Sequence, residues 1–274
     1  MFRKIFKNVS LVSPVVHCIT NYVTVNDVAN IILASGASPI MADDIEEVSD
    51  IVSISNALVL NIGTLNTRTI ESMIKAGKTA NKLNYPVVFD PVGVGASKFR
   101  MNTTLRLLRE IKFDVIRGNA SEIKTIASET KSSKGVDVSL DDTIREDNLE
   151  YYIELGKRVS KRNNRVVAIT GPIDIVTDGD KTYLIRNGHQ DMGRITGTGC
   201  MVSGLIGAYI GANPKSILEG TTLAIASMGL CGELAKKEIV KKGLGTGSFR
   251  AYLIDYMSNL DERDLMEGIK IEIK

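Results

Sequence analysis

Ala57–Leu58–Val59–Leu60–Asn61–Ile62 is a short apolar run that stops at Gly63–Thr64, and Ile70, Met73, Ile74 and Gly77 then follow at helical spacing. A run of this kind, aliphatic but for Asn61, predicts a strand buried on both faces. The same strand-then-helix unit recurs on either side. Upstream, Val15 to Thr20 reads as a strand and Val23 to Ser35 as a helix closed by Gly36. Downstream, Pro86 to Asp90, Asp114 to Arg117 and Val166 to Thr170 read as strands, and Ser121 to Ile126 as a helical segment. Pro86 stands at a first strand position, where its missing N–H is tolerated. Ile173 to Val176 and Thr182 to Ile185 flank Thr177–Asp178–Gly179–Asp180, a hairpin signal. From Gly197 onward the pattern reads as almost wholly helical. Alternation at this spacing implies crossover units and a mostly parallel central sheet in an α/β fold. Lys131 to Asp147 is polar and aperiodic, which predicts a surface excursion. No composition shift marks a linker, so residues 1–274 read as one domain.

Composition narrows the function classes. The 34 Lys+Arg against 32 Asp+Glu leave a formal charge of +2, too balanced for the basic footprint of a nucleic-acid binder. Hydrophobic residues make up 43% and charged residues 24%, a globular mix able to bury a core. The 3 cysteines, Cys18, Cys200 and Cys231, are too few and odd in number for a disulfide framework. The N-terminal stretch lacks the apolar segment of a signal peptide. No apolar run reaches the roughly 18 to 20 residues of a membrane helix, and Met201 to Ala212 comes nearest. These features predict a cytoplasmic protein that enters no membrane.

Most of the strands end in polar or glycine-rich turns: Thr20–Asn21, Asn61–Gly63–Thr64, Asp90–Pro91, Arg117–Gly118–Asn119 and Thr170–Gly171. In open α/β sheets, ligands bind beyond the carboxyl ends of the strands. Gly77–Lys78–Thr79 resembles the end of a P-loop, but Ser72 stands where that motif needs its first glycine. Gly197–Thr198–Gly199–Cys200–Met201–Val202 resembles a dinucleotide fingerprint, yet Val202 replaces the third glycine. As an anion site the same segment is better suited. Glycines turn successive N–H groups toward a ligand, and a helix N-terminus adds partial positive charge. That dipole would also give Cys200 some thiolate character. The alternative is a glycine-rich turn with a buried structural cysteine. Asp90 ends an apolar strand, where a structural carboxylate has little reason to sit. Glu122 opens a helix, where the dipole alone would favour it. On neighbouring strands the two could hold a hydrated Mg²⁺ beside phosphate. Arg117 offers a planar fork for phosphate, or a surface ion pair. His17 and His189 are far apart, which gives little support to a zinc site or a nucleophile pair. His17 reads as a hydrogen-bonded residue in or beside a strand.

Taken in order, seven segments resemble the hydroxyethylthiazole kinases of the ribokinase-like superfamily. They are Val16–Asn21, Ala34–Ala42, Ala57–Leu65, Asp90–Ala96, Arg117–Ile123, Ala168–Gly171 and Gly197–Cys200. The resemblance spans nearly the whole chain. It implies a three-layer α/β/α fold and transfer of phosphate from ATP, with Mg²⁺, to the alcohol of 4-methyl-5-(2-hydroxyethyl)thiazole. It also implies a homotrimer with the thiazole at a subunit boundary. Met41 and Gly197 would contact the thiazole, with Asn21, Gly63 and Thr64 lining the same region. Arg117, Thr170 and Asn119 would serve ATP, and Asp90 and Glu122 would organise the metal. Asn119 and Glu122 match the superfamily's Asn-x-x-Glu pattern. Gly197, Thr198, Gly199 and Cys200 would form the anion hole. Many sugar kinases of the superfamily place Asp where this chain, like the hydroxyethylthiazole kinases it resembles, has a cysteine (Cys200), and a pyrimidine kinase of this fold would be expected to place Asp there too. Lys242 to Phe249 is longer than the family's usual glycine turn, which leaves the shape of that turn open.

Overall fold

The protein is described by a computed structural model over residues 1–129 and 143–274. The first half carries α1 (Phe2–Val12), β1 (Val15–Ile19), α2 (Val25–Ala34), β2 (Ser38–Ile40), α3 (Val48–Ser53), β3 (Ala57–Asn61), α4 (Thr67–Leu83), β4 (Val87–Asp90) and α5 (Lys98–Glu110). The middle carries β5 (Val115–Asn119), α6 (Ala120–Glu129), α7 (Leu149–Asn163), β6 (Val166–Thr170), β7 (Asp174–Thr177) and β8 (Thr182–Ile185). Helices α8 (Thr198–Ala212), α9 (Ile217–Lys242), α10 (Thr246–Asn259) and α11 (Glu262–Gly268) precede β9 (Ile271–Ile273). The strands and the hairpin expected from the sequence are present, with ends shifted by no more than two residues. Most of the expected polar excursion, residues 131–142, lies outside the described residues.

Nine strands form one sheet in the order β2-β1-β3-β4-β5-β6-β7-β8-β9. Neighbours from β2 to β6 run parallel, and those from β6 to β9 antiparallel. The sheet is therefore mostly parallel, as expected, with an antiparallel flank built by the hairpin. The segment from Gly197 onward is almost wholly helical, as expected, with one short strand at its end. Ile271–Ile273 pairs with β8 and extends the sheet. Three residues are too few to show a strand period. The same holds for β2, an edge strand whose Pro39 needs no ladder partner on its open side.

Strand side chains alternate between two cores. Val16, Cys18, Val59, Val88 and Val115 pack with α1, α2, α8, α9 and α10. Ile19, Leu58, Leu60, Phe89 and Ile116 pack with α3 to α7. That alternation makes three layers, and it explains why the central strands read as unbroken apolar runs. Helix α8 is apolar on every side and buried from Met201 to Ala212. Its glycines set the distance to its neighbours. A Cβ on Gly207 would lie 2.7 Å from Val59 Cγ2 and 2.9 Å from Val16 Cγ1. Gly204 similarly admits Val28 and Ile32 of α2. α8 thus lies directly on β1 and β3, with its N-terminus at their carboxyl ends.

One membrane expectation needs correcting. Helix α9 is long and apolar enough to span a bilayer by composition, but 78% of its most apolar window is buried inside the fold. It is the helix packed between α8 and α10. The turn after it is also settled. Gly243, at φ +65°, takes the left-handed C-cap position, and Leu244 N–H donates to Ile239 O at 2.8 Å. Thr246, Gly247 and Ser248 already belong to α10, so only Gly243–Leu244–Gly245 connects the helices.

Candidate functional site

Because β1, β3, β4, β5 and β6 are parallel, their polar ends share one rim, as the sequence reading expected. The sheet order arranges the rim laterally. Met41 follows edge strand β2, Asn21 follows β1, and Gly63 and Thr64 follow β3. Asp90 ends β4, Arg117 lies near the end of β5, and Thr170 ends β6. Helix α8 brings Gly197 to Cys200 onto the middle of this row. Arg100 of α5 stitches the turns together. Its Nη1 donates to Ile62 O at 2.5 Å and Val92 O at 2.7 Å, and its Nη2 to Gly63 O at 2.6 Å.

The centre is a compact polar network. Asn61 Nδ2 donates to Asp90 Oδ2 at 2.9 Å and lies 3.3 Å from Cys200 Sγ. Asn21 Nδ2 donates to Asn61 Oδ1 at 3.1 Å and to Cys200 Sγ at 3.2 Å. Ser203, three residues beyond Cys200 on α8, donates from Oγ to Asp90 Oδ2 at 2.7 Å. Asp90 is fully buried, and its Oδ1 has no hydrogen-bond partner among the described residues. Loss of hydration pushes its pKa up to about 6, against the pull of Arg117 and with the push of Glu122.

The far side of the row is built around Arg117. Its Nη2 donates to Thr170 Oγ1 at 2.6 Å, and its Nη1 lies 3.5 Å from Asp90 Oδ2. A Cβ on Gly199 would meet Arg117 Nη1 at 2.7 Å. The guanidinium therefore lies against the first turn of α8, where the leading N–H groups have no intrahelical acceptor. Two positive sources in one place favour an anion. Gly197, the α8 N-cap at φ +94°, is doubly constrained: a Cβ there would also lie 2.7 Å from Thr24 Cγ2. Beyond Arg117 opens a cavity of about 550 Å³ lined by Thr170, Gly171, Asp174, Val202, Ile225 and Met228, among others. Its size and mainly apolar wall suit a small-molecule or cofactor site.

Cys200 departs from its expected state. Burial and the Asp90 carboxylate raise its pKa, outweighing the hydrogen bonds from Thr24, Asn61 and Asn21 that lower it. The helix N-terminus does not make it a thiolate. Glu122 is engaged locally: its Oε2 accepts from Asn119 N at 2.8 Å, and Asn119 Oδ1 accepts from Glu122 N at 2.9 Å. The Asn-x-x-Glu spacing is thus a reciprocal cap on α6. Glu122 Oε1 also accepts from Gly93 N at 2.9 Å, which ties the β4 turn to β5. Among the described residues no cluster of three or more His, Cys, Asp or Glu side chains could cage a metal. The donors fit a looser arrangement: the orphaned Asp90 Oδ1 and a half-buried Glu122 suit a hard cation that keeps most of its water.

Thr64 Oγ1 accepts from Tyr22 N at 3.3 Å, which places it beside Asn21. Met41 is half-buried at the β2 end of the rim. His17 is in β1, fully buried, with Nε2 at 2.7 Å from Ala42 O, and burial lowers its pKa. It is the hydrogen-bonded strand residue expected. His189 lines the 550 Å³ cavity. Ser203 and Asp174 were missed. Ser203 was legible as a neighbour of Cys200 on one helix face, whereas nothing local distinguishes Asp174.

Asp174 accepts from Gly171 N at 2.9 Å, and burial pushes its pKa up to about 7 from 3.8. The folded protein therefore holds a proton over a range where the unfolded chain has released it. The stability this contributes is present below about pH 4 and is lost as pH rises toward and past 7. Asp174→Asn should escape the loss. Its melting temperature relative to wild type is expected to rise between about pH 5 and about pH 8, by roughly 5 °C. A constant difference across that range would contradict the assignment.

Comparison with known proteins agrees over the full length. The model of the Hydroxyethylthiazole kinase family matches residues 6–263. The hydroxyethylthiazole kinase of Clostridium acetobutylicum is 53% identical over 272 residues, 99% of each chain. The structure of a hydroxyethylthiazole kinase from Pyrococcus horikoshii OT3 superposes with a TM-score of 0.89 at 36% identity, covering 100% of this chain and 98% of that one. A ribokinase-like superfamily protein from Enterococcus faecalis V583 gives a TM-score of 0.61 at 11% identity, covering 94% and 89%, a likeness of fold alone.

Proposed function

The chain belongs to the hydroxyethylthiazole kinase family, and from that premise we propose how its residues carry ATP-dependent phosphorylation of hydroxyethylthiazole. The observation that carries the reading is the row at the rim: Asn21 and Gly63 on one side, Arg117 and Thr170 at a nucleotide-sized cavity on the other, and Asp90 with Cys200 between them. The thiazole would lie toward Met41, Asn21, Gly63, Thr64 and Gly197. ATP would fill the cavity with its phosphates toward Arg117 and Thr170, near Asn119.

In the transfer, the alcohol oxygen forms a bond to the γ-phosphorus while the bond to ADP breaks. Arg117 binds phosphate oxygens through its fork. The N–H groups of Thr198, Gly199 and Cys200 stabilise the charge on the transferring group. Mg²⁺, held by Asp90 and Glu122, would neutralise phosphate charge when bound. Cys200 keeps its proton near neutral pH and orients the alcohol; the alcohol proton leaves late, to an oxygen of the phosphate being transferred, since such transfers are largely dissociative. Cys200→Ala is therefore expected to retain a measurable kcat, lowered about tenfold to 100-fold. A fall to background would make the thiol an obligatory base.

A single kinase domain over 1–274 is part of the proposal, supported by one sheet running from β2 to β9. So is a homotrimer with the thiazole at the subunit boundary. The exposed side chains of Tyr22 and Val23, just before α2, and of Leu33 on α2, the helix packed against edge strand β2, support it. Light scattering should give three chain masses; one chain mass would remove the boundary pocket. A cytoplasmic setting fits three unpaired cysteines.

The test of function is ADP release with Mg-ATP, comparing hydroxyethylthiazole with hydroxymethylpyrimidine at equal concentration. Turnover that needs the thiazole and disappears with EDTA is expected. Turnover with the pyrimidine alone would overturn the substrate.

A further inference from the structure

We propose that Asn61, at the carboxyl end of β3, is a positioning residue that fixes Asp90 and Cys200 relative to each other, an inference that rests on the kinase reading above. Its side-chain amide is only 2% exposed with its backbone, and every hydrogen-bonding valence is used inside the site. One N–H reaches Asp90 Oδ2 at 2.9 Å and the other faces Cys200 Sγ at 3.3 Å. The carbonyl Oδ1 accepts from Asn21 Nδ2 at 3.1 Å and from Gly63 N at 2.8 Å. An amide offers two donors and an oxygen with two lone pairs, so the set is complete.

The orientation of this amide is forced. Flipping it would set Oδ1 against the Asp90 carboxylate and the sulfur, and would set the NH₂ group against the Gly63 N–H. The sheet register supplies the reach, because Asn61 and Asp90 are direct partners across β3 and β4. One rigid planar group thus links a carboxylate on β4, a thiol on α8 and the turn at Gly63. With Asn61 and Ser203 both on Oδ2, Asp90 keeps Oδ1 free of protein partners among the described residues. Asn61 itself has no valence left for substrate, so it acts through its neighbours.

A misplacement of about 1 Å at reacting groups can cost about 10² in rate. Asn61→Ala should therefore lower kcat about 30-fold to 100-fold, with the KM of ATP and of the thiazole changed less than about threefold. A substrate-free measurement accompanies it: the pH profile of Cys200 alkylation by iodoacetamide. Asn61, Asn21 and Thr24 favour the thiolate and Asp90 opposes it. Arg117 faces Asp90 from β5, and Glu122 acts on Asp90 from α6. Losing the Asn61 donor should move the alkylation midpoint up by about half a pH unit or more. Ser203→Ala, which touches Asp90 but not the sulfur, should leave that midpoint in place.

If Asn61→Ala does not fold, Asn61→Leu keeps the volume while removing both donors and the acceptor without adding a charge beside Asp90, and the same losses are expected. A kcat within threefold of wild type, a change in KM alone, or an unmoved midpoint would overturn the inference. Wild-type protein without thiazole-dependent turnover would overturn the kinase reading, and the alkylation profile would still decide whether Asn61 holds the sulfur.

Discussion

Asp90→Asn should lower kcat by about 10³-fold while the protein melts no lower than wild type near pH 7.5. The two halves of this result have one cause. The carboxylate is fully buried at the end of β4, beside Asn61, Ser203 and Arg117, and its pKa is pushed up to about 6. In the unfolded chain it would titrate near 3.8. The folded protein therefore binds the proton more tightly, and the contribution to stability is lost as pH rises from about 4 toward and past 6. At pH 7.5 the wild type carries a desolvated charge that costs at most about 3 kcal/mol. Asparagine keeps the shape and removes that cost. It also removes the negative charge that the proposed transfer uses. Kinetics and thermal melting on one preparation check both halves. Retained kcat would displace Asp90 from the chemistry. A large drop in melting temperature would instead make it a structural partner of Arg117.

Arg117→Ala should reduce kcat/KM for ATP by about 10³-fold to 10⁴-fold, and Arg117→Lys by about 10². The guanidinium is held at 2.6 Å from Thr170 Oγ1 and 3.5 Å from Asp90 Oδ2, and Gly199 makes room for it. Removing it takes away the planar fork and leaves the buried Asp90 charge without its cation. Lysine restores a charge but not the fork, so it recovers only part of the loss. Steady-state kinetics with varied ATP separate the cases. Equal activity of the alanine and lysine variants would show that charge at this position plays little part.

The legible part of this protein is the part encoded by short periods. Val16, Val59 and Val88 face one core, and Leu58, Leu60 and Phe89 face the other. That pattern is already present as apolar runs of strand length, so the central strands and the parallel sheet follow from it. The strand-end turns and the Gly197 to Cys200 segment were legible for the same reason: glycine and polar residues interrupt apolar runs where a backbone must turn or approach a ligand. The edge strands β2 and β9 were not, because Ser38–Ile40 and Ile271–Ile273 are too short to show a period and their pairing is with distant chain.

By itself, then, the sequence determined the mostly parallel sheet, the rim and the residue types gathered there, while the three layers were implied by the family resemblance. Only the tertiary structure decided what state those residues are in. The dipole at the start of α8 argued for a thiolate at Cys200, but burial beside Asp90 raises its pKa. Glu122 and Asn119 looked like a ligand pattern, and they also cap α6 reciprocally. Asn61 read as one polar residue in a strand, yet it joins β3, β4 and α8. Desolvation and hydrogen-bond partnership depend on groups far apart in the chain, whereas strand and helix periods depend on neighbours. The first kind of information exists only once the chain has closed on itself.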